Sequence, residues 1–318
     1  MKYKAVRSQL KPLVFSGQPL SSIENDYARY YKIDCQTISP AASHEMGYLD
    51  CQNYRIACHV YHPVTPKKTN DTFFLVHGYY DHMGLYKHII SYFLEQGYKV
   101  FAYDLPGHGL SSGKPATIPD FSIYSDVLAS ILRQCEMSMS SPWHAYGQST
   151  GGAIVTDYLL RLTQQNKVLP FKKVVLSAPL VRPCLWSMRR LMLYLLRPFL
   201  KQTPRTFPHN SRDKQFVAFV RQDPLAAQTL PTQWVTALDR WIKRTEKAQE
   251  KIALHPLIIQ GTNDRTVDAH HNLSVLKKLY QDPELLMLKS ARHHLANELA
   301  STRKEYMSWL SLLLSRNS

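Results

Sequence analysis

Residues 147–151 read Gly-Gln-Ser-Thr-Gly and lie between a short apolar run and a segment with helical periodicity. Residues 143–146 before them are typical of a buried strand, and the apolar side chains of residues 153–160 recur at helical spacing. A Gly-x-Ser-x-Gly at a strand-to-helix turn is the sequence form of a nucleophile elbow. Such a turn strains the serine backbone and brings its flanks close together, which requires small residues there. We therefore expect Ser149 to project its hydroxyl above the end of a strand.

Short apolar segments alternate with helical segments on both sides of this motif. Strands are predicted at 54–61, 72–76, 99–103, 143–146, 173–177, 256–260 and 285–288, and helices at 85–94, 119–135 and 306–314. The first strand alternates in polarity and is expected to be an antiparallel edge strand. The others predict an α/β fold with a mostly parallel, doubly wound sheet. In such a sheet the functional residues lie at the carboxyl ends of the strands.

A segment rich in Arg, Pro and Trp, residues 180–252, interrupts the alternation. Its patterning is helical, and it falls between two predicted sheet strands. We therefore predict a core formed by residues 1–179 and 253–318, with a helical cap insertion at 180–252. Residues 180–252 are called the insertion below.

The net charge of +15 is unevenly distributed. Residues 1–20 hold four basic and no acidic side chains, and residues 180–255 hold 14 basic and 5 acidic ones. Such a basic insertion favours contact with anionic surfaces or substrates, or else forms a solvated face. No nucleic-acid-binding motif is present, so nucleic acid is not an expected partner. The oligomeric state is left open.

The cysteines and the apolar runs indicate the compartment. An odd number of cysteines without a Cys-x-x-Cys favours a reducing environment: Cys35, Cys51, Cys58, Cys135 and Cys184. No secretory leader and no apolar run of membrane-spanning length is found in the sequence. We expect a cytoplasmic protein, either free or peripherally associated with a membrane, that needs no cofactor or metal.

A serine nucleophile needs a base and an orienting carboxylate, which follow it in the chain order Ser, Asp or Glu, His. Asp264 lies in the loop directly after the strand at 256–260, and Asp268 four residues later is the alternative acid, or else begins a helix. The strand at 285–288 leads into His293 and His294, and either could be the base. The spacing favours Ser149, Asp264 and His293 as the catalytic residues.

An oxyanion formed at the serine would need two backbone donors. The amide of Thr150, directly after the nucleophile, is one. The loop after the strand at 72–76 supplies the other, and Gly78 permits the sharp turn that makes the Tyr79 amide the candidate. His77 and His82 have metal-like spacing, but no acidic or cysteine partner is evident, so they are expected to brace this loop.

Five motifs occur in order along the chain: His77-Gly78-x-x-Asp81-His82, Asp-Leu-Pro-Gly-His-Gly-Leu-Ser at 104–111, Gly-Gln-Ser-Thr-Gly-Gly at 147–152, Gly261-x-x-Asp264-x-x-Val267-Asp268, and Ala291-Arg292-His293. Together they resemble the lysophospholipase and monoacylglycerol lipase branch of the α/β-hydrolase superfamily, including bacterial lysophospholipase L2-type proteins. The resemblance covers roughly residues 45–315, and it extends to Asp-Pro-Leu at 223–225 and to Trp234 in the insertion.

This resemblance implies an α/β-hydrolase fold with Ser149 as nucleophile, Asp264 as acid and His293 as base. Two residues depart from the family pattern. Gln148 stands where the family usually has histidine, and Thr150 stands where methionine or glutamine is frequent. Both keep their backbone amides, so the resemblance implies that the chemistry is retained, while their altered side chains line the elbow and bear on the acyl-pocket preference.

The substrate expectation comes from the insertion. Residues 185–200 interleave Leu, Met, Trp and Phe with arginines, which is typical of a helix that lies in an anionic membrane interface, roofs an acyl pocket or packs on the core. We expect a lysophospholipase or monoacylglycerol-type lipase that forms an acyl-enzyme on a lipidic ester. The alternative is a carboxylesterase or other small-substrate hydrolase, peptidases included. A non-catalytic binding protein is disfavoured by the intact triad.

Overall fold

The computed structural model describes residues 3–65 and 71–316; Lys2 of the basic N-terminal segment lies outside them. The strands within these residues are β1 (Ser43–Cys51), β2 (Tyr54–His62), β3 (Thr72–Val76), β4 (Lys99–Tyr103), β5 (Trp143–Gln148), β6 (Phe171–Ser177), β7 (Gln202–Pro204), β8 (Thr229–Pro231), β9 (Leu257–Gly261) and β10 (Glu284–Leu288). The helices are α1 (Tyr3–Gln9), α2 (Ser22–Tyr31), α3 (Cys35–Ile38), α4 (Lys87–Glu95), α5 (Ser122–Cys135), α6 (Thr150–Gln164), α7 (Trp186–Leu196), α8 (Lys214–Gln222), α9 (Thr232–Lys247), α10 (Ala269–Leu279) and α11 (Ala300–Arg316).

Eight strands form one sheet in the order β1-β2-β4-β3-β5-β6-β9-β10. Strand β2 is antiparallel to β1 and β4, and the remaining pairs are parallel. The predicted mostly parallel sheet is therefore confirmed. The expectation that the strand at 54–61 forms the edge was wrong, because β1 pairs with every residue of β2 from outside. The charged Glu45 and the glycine at 47 inside β1 hide its strand pattern from the sequence.

Two apolar cores cover the two faces of the sheet, and each strand supplies both by alternation. In β3, Phe74 and Val76 face a core with helices α5, α6 and α10, whereas Phe73 and Leu75 face a core with α4 and α11. The N-terminal helices α1 and α2 extend the second core. The helices predicted at 85–94, 119–135 and 306–314 correspond to α4, α5 and α11.

The chain between β6 and β9 leaves the sheet and folds into α7, α8, α9 and a two-stranded antiparallel sheet of β7 and β8. Strands β6 and β9 are parallel neighbours, so the chain returns beside the point where it left. The domain boundaries predicted above, 1–179, 180–252 and 253–318, stay a prediction. Within residues 3–65 and 71–316, no helix is long and apolar enough to cross a membrane.

Candidate active site

Ser149 sits on the strained turn that the sequence predicts between β5 and α6. Its backbone has φ 52° and ψ −113°, outside the regions that a serine ordinarily adopts. A Cβ on Gly147 would lie 2.7 Å from the carbonyl carbon of Gly151, and a Cβ on Gly151 would lie 2.0 Å from the carbonyl oxygen of Val76. Both flanks must therefore be glycine. The Ser149 amide donates to the Ser177 carbonyl at 2.8 Å, and the residue keeps 7% of its surface exposed.

The structure brings Ser149, His293 and Asp264 into one hydrogen-bonded chain. The Ser149 hydroxyl lies 2.9 Å from Nε2 of His293, whose Nδ1 lies 2.8 Å from Oδ2 of Asp264. Since a carboxylate only accepts, Nδ1 carries the ring proton and Nε2 is the nitrogen that accepts from the serine. The other oxygen of Asp264 accepts the amides of Thr266 and Val267 at 2.8 and 3.2 Å, which fixes the carboxylate in orientation.

Burial and neighbouring charge have opposite effects on the pKa values of Asp264 and His293. Burial alone would raise the pKa of Asp264, but the neighbouring His293 ring and hydrogen bonds from Thr266 and Gln260 hold it below its usual range. Burial alone would lower the pKa of His293, but the charge and hydrogen bond of Asp264 raise it above its usual range. The site therefore pairs an ionised carboxylate with an imidazole that is a stronger base than one in free solution.

The alternative acid and base have other partners. Asp268 caps α10 by accepting the His271 amide, and it also accepts two hydrogen bonds from Arg182. The His294 ring points to Asp81, with Nε2 at 3.2 Å from its carboxylate. Asp268 thus anchors the insertion and α10, while His294 lies behind the loop that follows β3.

That loop is held by its histidines. The Leu105 amide donates to Nε2 of His77 at 2.9 Å, so Nδ1 carries the proton and donates to the Gly78 carbonyl at 2.7 Å. Fixing the Gly78 carbonyl also fixes the Tyr79 amide of the same peptide, which points to the opposite side. A Cβ on Gly78 would lie 3.4 Å from Cβ of Ser149, so this peptide runs directly beside the serine. Within the described parts of the chain, no acceptor engages the Tyr79 or Thr150 amide.

Gln148 makes two hydrogen bonds at the site that the sequence did not predict. Its side-chain amide donates to the His293 carbonyl at 3.0 Å, and its oxygen accepts from the Ser177 hydroxyl at 2.8 Å. The residue before the serine therefore ties the base-bearing loop to β6. The departure from histidine at this position was visible in the sequence, but its partner 145 residues later was not.

The insertion closes over the same loop. The Trp234 ring stacks on Tyr79 with centroids 3.6 Å apart. Asp223 accepts from Nε2 of His82 at 2.8 Å and from the Tyr31 hydroxyl at 2.7 Å, and both side chains of the His82–Asp223 pair are 1% exposed. A buried carboxylate of the insertion thus joins the loop after β3 to the N-terminal helix α2.

Helix α7 presents its apolar side chains to solvent. Only Trp186 and Leu193 are buried in it. The exposed apolar residues in and around the helix are Leu185, Met188, Leu191, Met192, Tyr194, Leu195, Leu196, Phe199 and Leu200. Phe199, with 81% of its surface exposed, is the most exposed of them. Packing on the core therefore does not account for this surface.

A family profile described as "Serine aminopeptidase, S33" matches residues 67–300. Human monoglyceride lipase is 28% identical over 272 residues, which cover 82% of this chain and 87% of the human protein. The probable lysophospholipase L2 of Haemophilus influenzae is 25% identical over 263 residues, covering 77% of this chain and 83% of that protein. A crystal structure of a soluble variant of monoglyceride lipase from Saccharomyces cerevisiae, in complex with a substrate analogue, has a TM-score of 0.73 at 17% identity. It covers 86% of this chain and 97% of that chain. The predicted α/β-hydrolase fold and the resemblance to these enzymes are confirmed.

Proposed function

This chain belongs to the serine aminopeptidase S33 family of α/β-hydrolases and is an ester hydrolase, and we propose that it cleaves the acyl ester of a lipid through Ser149, His293 and Asp264. The observation that carries this proposal is the continuous hydrogen-bonded chain from serine to histidine to aspartate, with distances of 2.9 and 2.8 Å. A serine so placed, on a strained turn and with a base in contact, is arranged for nucleophilic attack.

In the proposed reaction, Oγ of Ser149 attacks the ester carbonyl carbon while Nε2 of His293 takes the hydroxyl proton. The tetrahedral intermediate collapses, the bond to the alcohol oxygen breaks, and His293 returns the proton to that oxygen. Water then attacks the carbonyl carbon of the acyl-enzyme and gives a proton to Nε2 of His293. The bond between the acyl carbon and Oγ of Ser149 breaks, His293 returns the proton to Oγ, and the fatty acid leaves. Asp264 keeps Nδ1 protonated and stabilises the imidazolium in both halves.

The amides of Tyr79 and Thr150 are the proposed oxyanion donors. The Thr150 amide begins α6, a helix of 15 residues whose positive end lies at the serine. The Tyr79 amide is oriented by the His77 to Gly78 hydrogen bond described above. Both are backbone groups, so the residue types at these two positions are free to vary without loss of a donor.

A lysophospholipase or monoacylglycerol-type lipase is the activity that the relatives support, since they include monoglyceride lipases and a probable lysophospholipase. The family description favours a second candidate, a hydrolase of small substrates including peptides. A series of p-nitrophenyl esters from acetate to palmitate separates them. A lipase should prefer the long chains, whereas a preference for acetate, or for an aminoacyl amide, would favour the second candidate.

The proposed catalytic roles are tested by Ser149→Ala, which should abolish ester hydrolysis while leaving the fold intact. Removing such a nucleophile costs on the order of a millionfold in turnover. A fluorophosphonate probe should label the natural chain at Ser149 and leave the variant unlabelled. Activity that survives in Ser149→Ala would refute the assignment.

His293→Ala and His294→Ala form a matched pair for the base. The first should be as inactive as the serine variant, because it removes the only imidazole in contact with Ser149 among the described residues. The second removes a ring beside Asp81 and should retain most activity. If His294→Ala were the inactive member of the pair, the base would be misassigned.

The proposal extends to the surface of α7, which would dock on an anionic membrane. Its exposed apolar side is bordered by the exposed Arg189 and Arg197, whereas Arg190 is already paired with Asp239 at 3.1 Å. An apolar helix with a cationic border is the type that lies in a lipid interface. Each basic residue near such a surface contributes about 1 kcal/mol, and salt screens it.

Flotation with phosphatidylglycerol vesicles tests the docking. Binding should weaken from low to physiological salt, and the double variant Arg189→Glu, Arg197→Glu should bind at least about tenfold less. Its hydrolysis of a short soluble ester should be unchanged. The matched control reverses Arg133 and Lys167, two exposed basic residues on the core. Salt-independent binding, or equal losses in both double variants, would contradict membrane docking through α7.

A further inference from the structure

Arg205 directly follows β7, and its guanidinium lies between two aromatic rings. Its Cζ is 4.1 Å from the centroid of Tyr80 and 4.4 Å from that of Phe207. Its Nη1 donates to the Ala227 carbonyl at 3.2 Å. The two rings hold the planar cation in one orientation, as stacked arginines are held in binding sites.

Arg205 forms no ion pair with the described residues. Within residues 3–65 and 71–316, no carboxylate lies at ion-pair distance from Arg205, and its buried Nε has no hydrogen-bond partner. The other partly buried arginines of the insertion are paired: Arg182 with Asp268 at 2.9 Å, Arg190 with Asp239 at 3.1 Å and Arg212 with Glu298 at 3.1 Å. Removing a cation from water without an anion is costly, so an unpaired guanidinium with free donors marks a place for an anionic ligand.

The position of Arg205 relates it to the reaction. Tyr80, on which the guanidinium lies, directly follows Tyr79, the proposed oxyanion donor. The Tyr80 hydroxyl donates to the Thr229 carbonyl in the insertion at 3.2 Å, which fixes this ring at the junction of insertion and core. The carboxylate of Asp81 in the same loop is already committed to Tyr86 and faces His294. Among the described residues, Arg205 is therefore an unpaired cation beside the loop that borders Ser149.

We propose that Arg205 binds the phosphate of a lysophospholipid headgroup while the acyl ester lies at Ser149, so that lysophospholipids are preferred over monoacylglycerols. This inference rests on the lipid ester hydrolysis proposed above. A guanidinium fork matches two phosphate oxygens, and it is more weakly hydrated than an ammonium. The glycerol of a monoacylglycerol is neutral and gains nothing comparable. The charge therefore selects between two substrates that share the same acyl chain.

The test compares Arg205→Met with the natural enzyme on 1-palmitoyl lysophosphatidylglycerol and 1-palmitoylglycerol in the same mixed micelles. Loss of a charge-assisted contact should lower kcat/KM for the lysophospholipid by about 10- to 100-fold. The kcat/KM for the monoacylglycerol should change less than about threefold. Arg205→Lys keeps the charge without the planar fork, so its kcat/KM for the lysophospholipid should lie between those of the natural enzyme and Arg205→Met. Arg221→Met, which removes an exposed arginine of α8, is the matched control and should change neither substrate.

Equal losses on both substrates would mean that Arg205 only braces the Tyr80 loop, and an unchanged lysophospholipid rate would equally overturn the proposal. If the natural enzyme cleaved the monoacylglycerol but not the lysophospholipid, the headgroup assignment would fail while lipid hydrolysis stood. If it cleaved neither lipid but did cleave p-nitrophenyl acetate, the lipid function itself would fail, and the headgroup assignment with it. Rates of fluorophosphonate labelling report whether each variant keeps a folded site.

Discussion

Asp264→Asn should inactivate the enzyme through the wrong histidine tautomer. The side-chain oxygen of Asp264 that accepts the Thr266 and Val267 amides must stay an acceptor, so the new amide nitrogen faces Nδ1 of His293. That nitrogen donates, so the ring proton moves to Nε2, where it faces the Ser149 hydroxyl and the base is lost. The corresponding change in a well-studied serine protease lowers turnover about 10⁴-fold, which corresponds to about 5 kcal/mol of transition-state stabilisation.

The assay is kcat/KM on a p-nitrophenyl ester, together with the rate of fluorophosphonate labelling, which depends on the same base. Asp268→Asn is the matched control, because it changes a carboxylate four residues away that caps α10 and binds Arg182. We expect the control to keep activity within about threefold, as a change outside the reacting groups. Asp264→Asn retaining more than about one hundredth of activity, or an equal loss in the control, would refute the tautomer argument.

Three further predictions concern His293, His59 and the glycines at 151 and 152. Because Asp264 raises the pKa of His293, the acid limb of the kcat/KM profile should have its midpoint above about 6.5, and a midpoint below it would contradict the assignment. Burial lowers the pKa of His59 to about 4, so the unfolded state becomes protonated at this residue at a higher pH than the folded state. His59 should therefore contribute about 3 kcal/mol to the decrease in the free energy of unfolding, measured by urea titration, between about pH 6.5 and 4, and a free energy of unfolding that stays constant over this range would contradict this. Gly151→Ala would place a Cβ 2.0 Å from a carbonyl of β3 and should lower stability by about 3 kcal/mol or more, whereas Gly152→Ala, whose nearest contact is 3.2 Å, should be milder in thermal melts.

Much of the fold is readable from local patterns. Buried parallel strands such as β3 and β4 are short apolar runs, and their predicted bounds agree with the structure. Strand β1 is not recognisable in the sequence, because Glu45 and the glycine at 47 interrupt its apolar pattern. Both are buried by the distant N-terminal segment: Glu45 accepts the Gly17 amide, and a Cβ at position 47 would lie 2.6 Å from Cα of Leu13. The N-terminal helices α1 and α2 were not expected either. Their apolar residues, among them Val6 and Tyr27, are buried only by contact with the distant α4 face of the sheet, which no local pattern contains.

The candidate site likewise has residues that local patterns predict and contacts that they do not. Ser149, Asp264 and His293 could be proposed in advance because each follows a recognisable strand, and parallel strands bring their carboxyl ends together. The bond from Gln148 to the His293 carbonyl and the pair of His82 with Asp223 join segments far apart in the chain. No spacing rule contains such contacts. They arise from the packing of the insertion and loops onto the finished sheet.

The adjacency of β6 and β9 bears on how this protein diversifies. Because the chain departs and returns at neighbouring strands, the intervening segment can lengthen, shorten or be replaced during evolution without altering the hydrogen-bonded ladder of the sheet. Contacts between the insertion and the core nevertheless restrict which segments can replace it. Asp223 meets His82 and Tyr31, each carried by another part of the chain. A chimera with a foreign cap must therefore supply a hydrogen-bond acceptor for both His82 and Tyr31. Without one, the buried His82 ring loses its carboxylate partner.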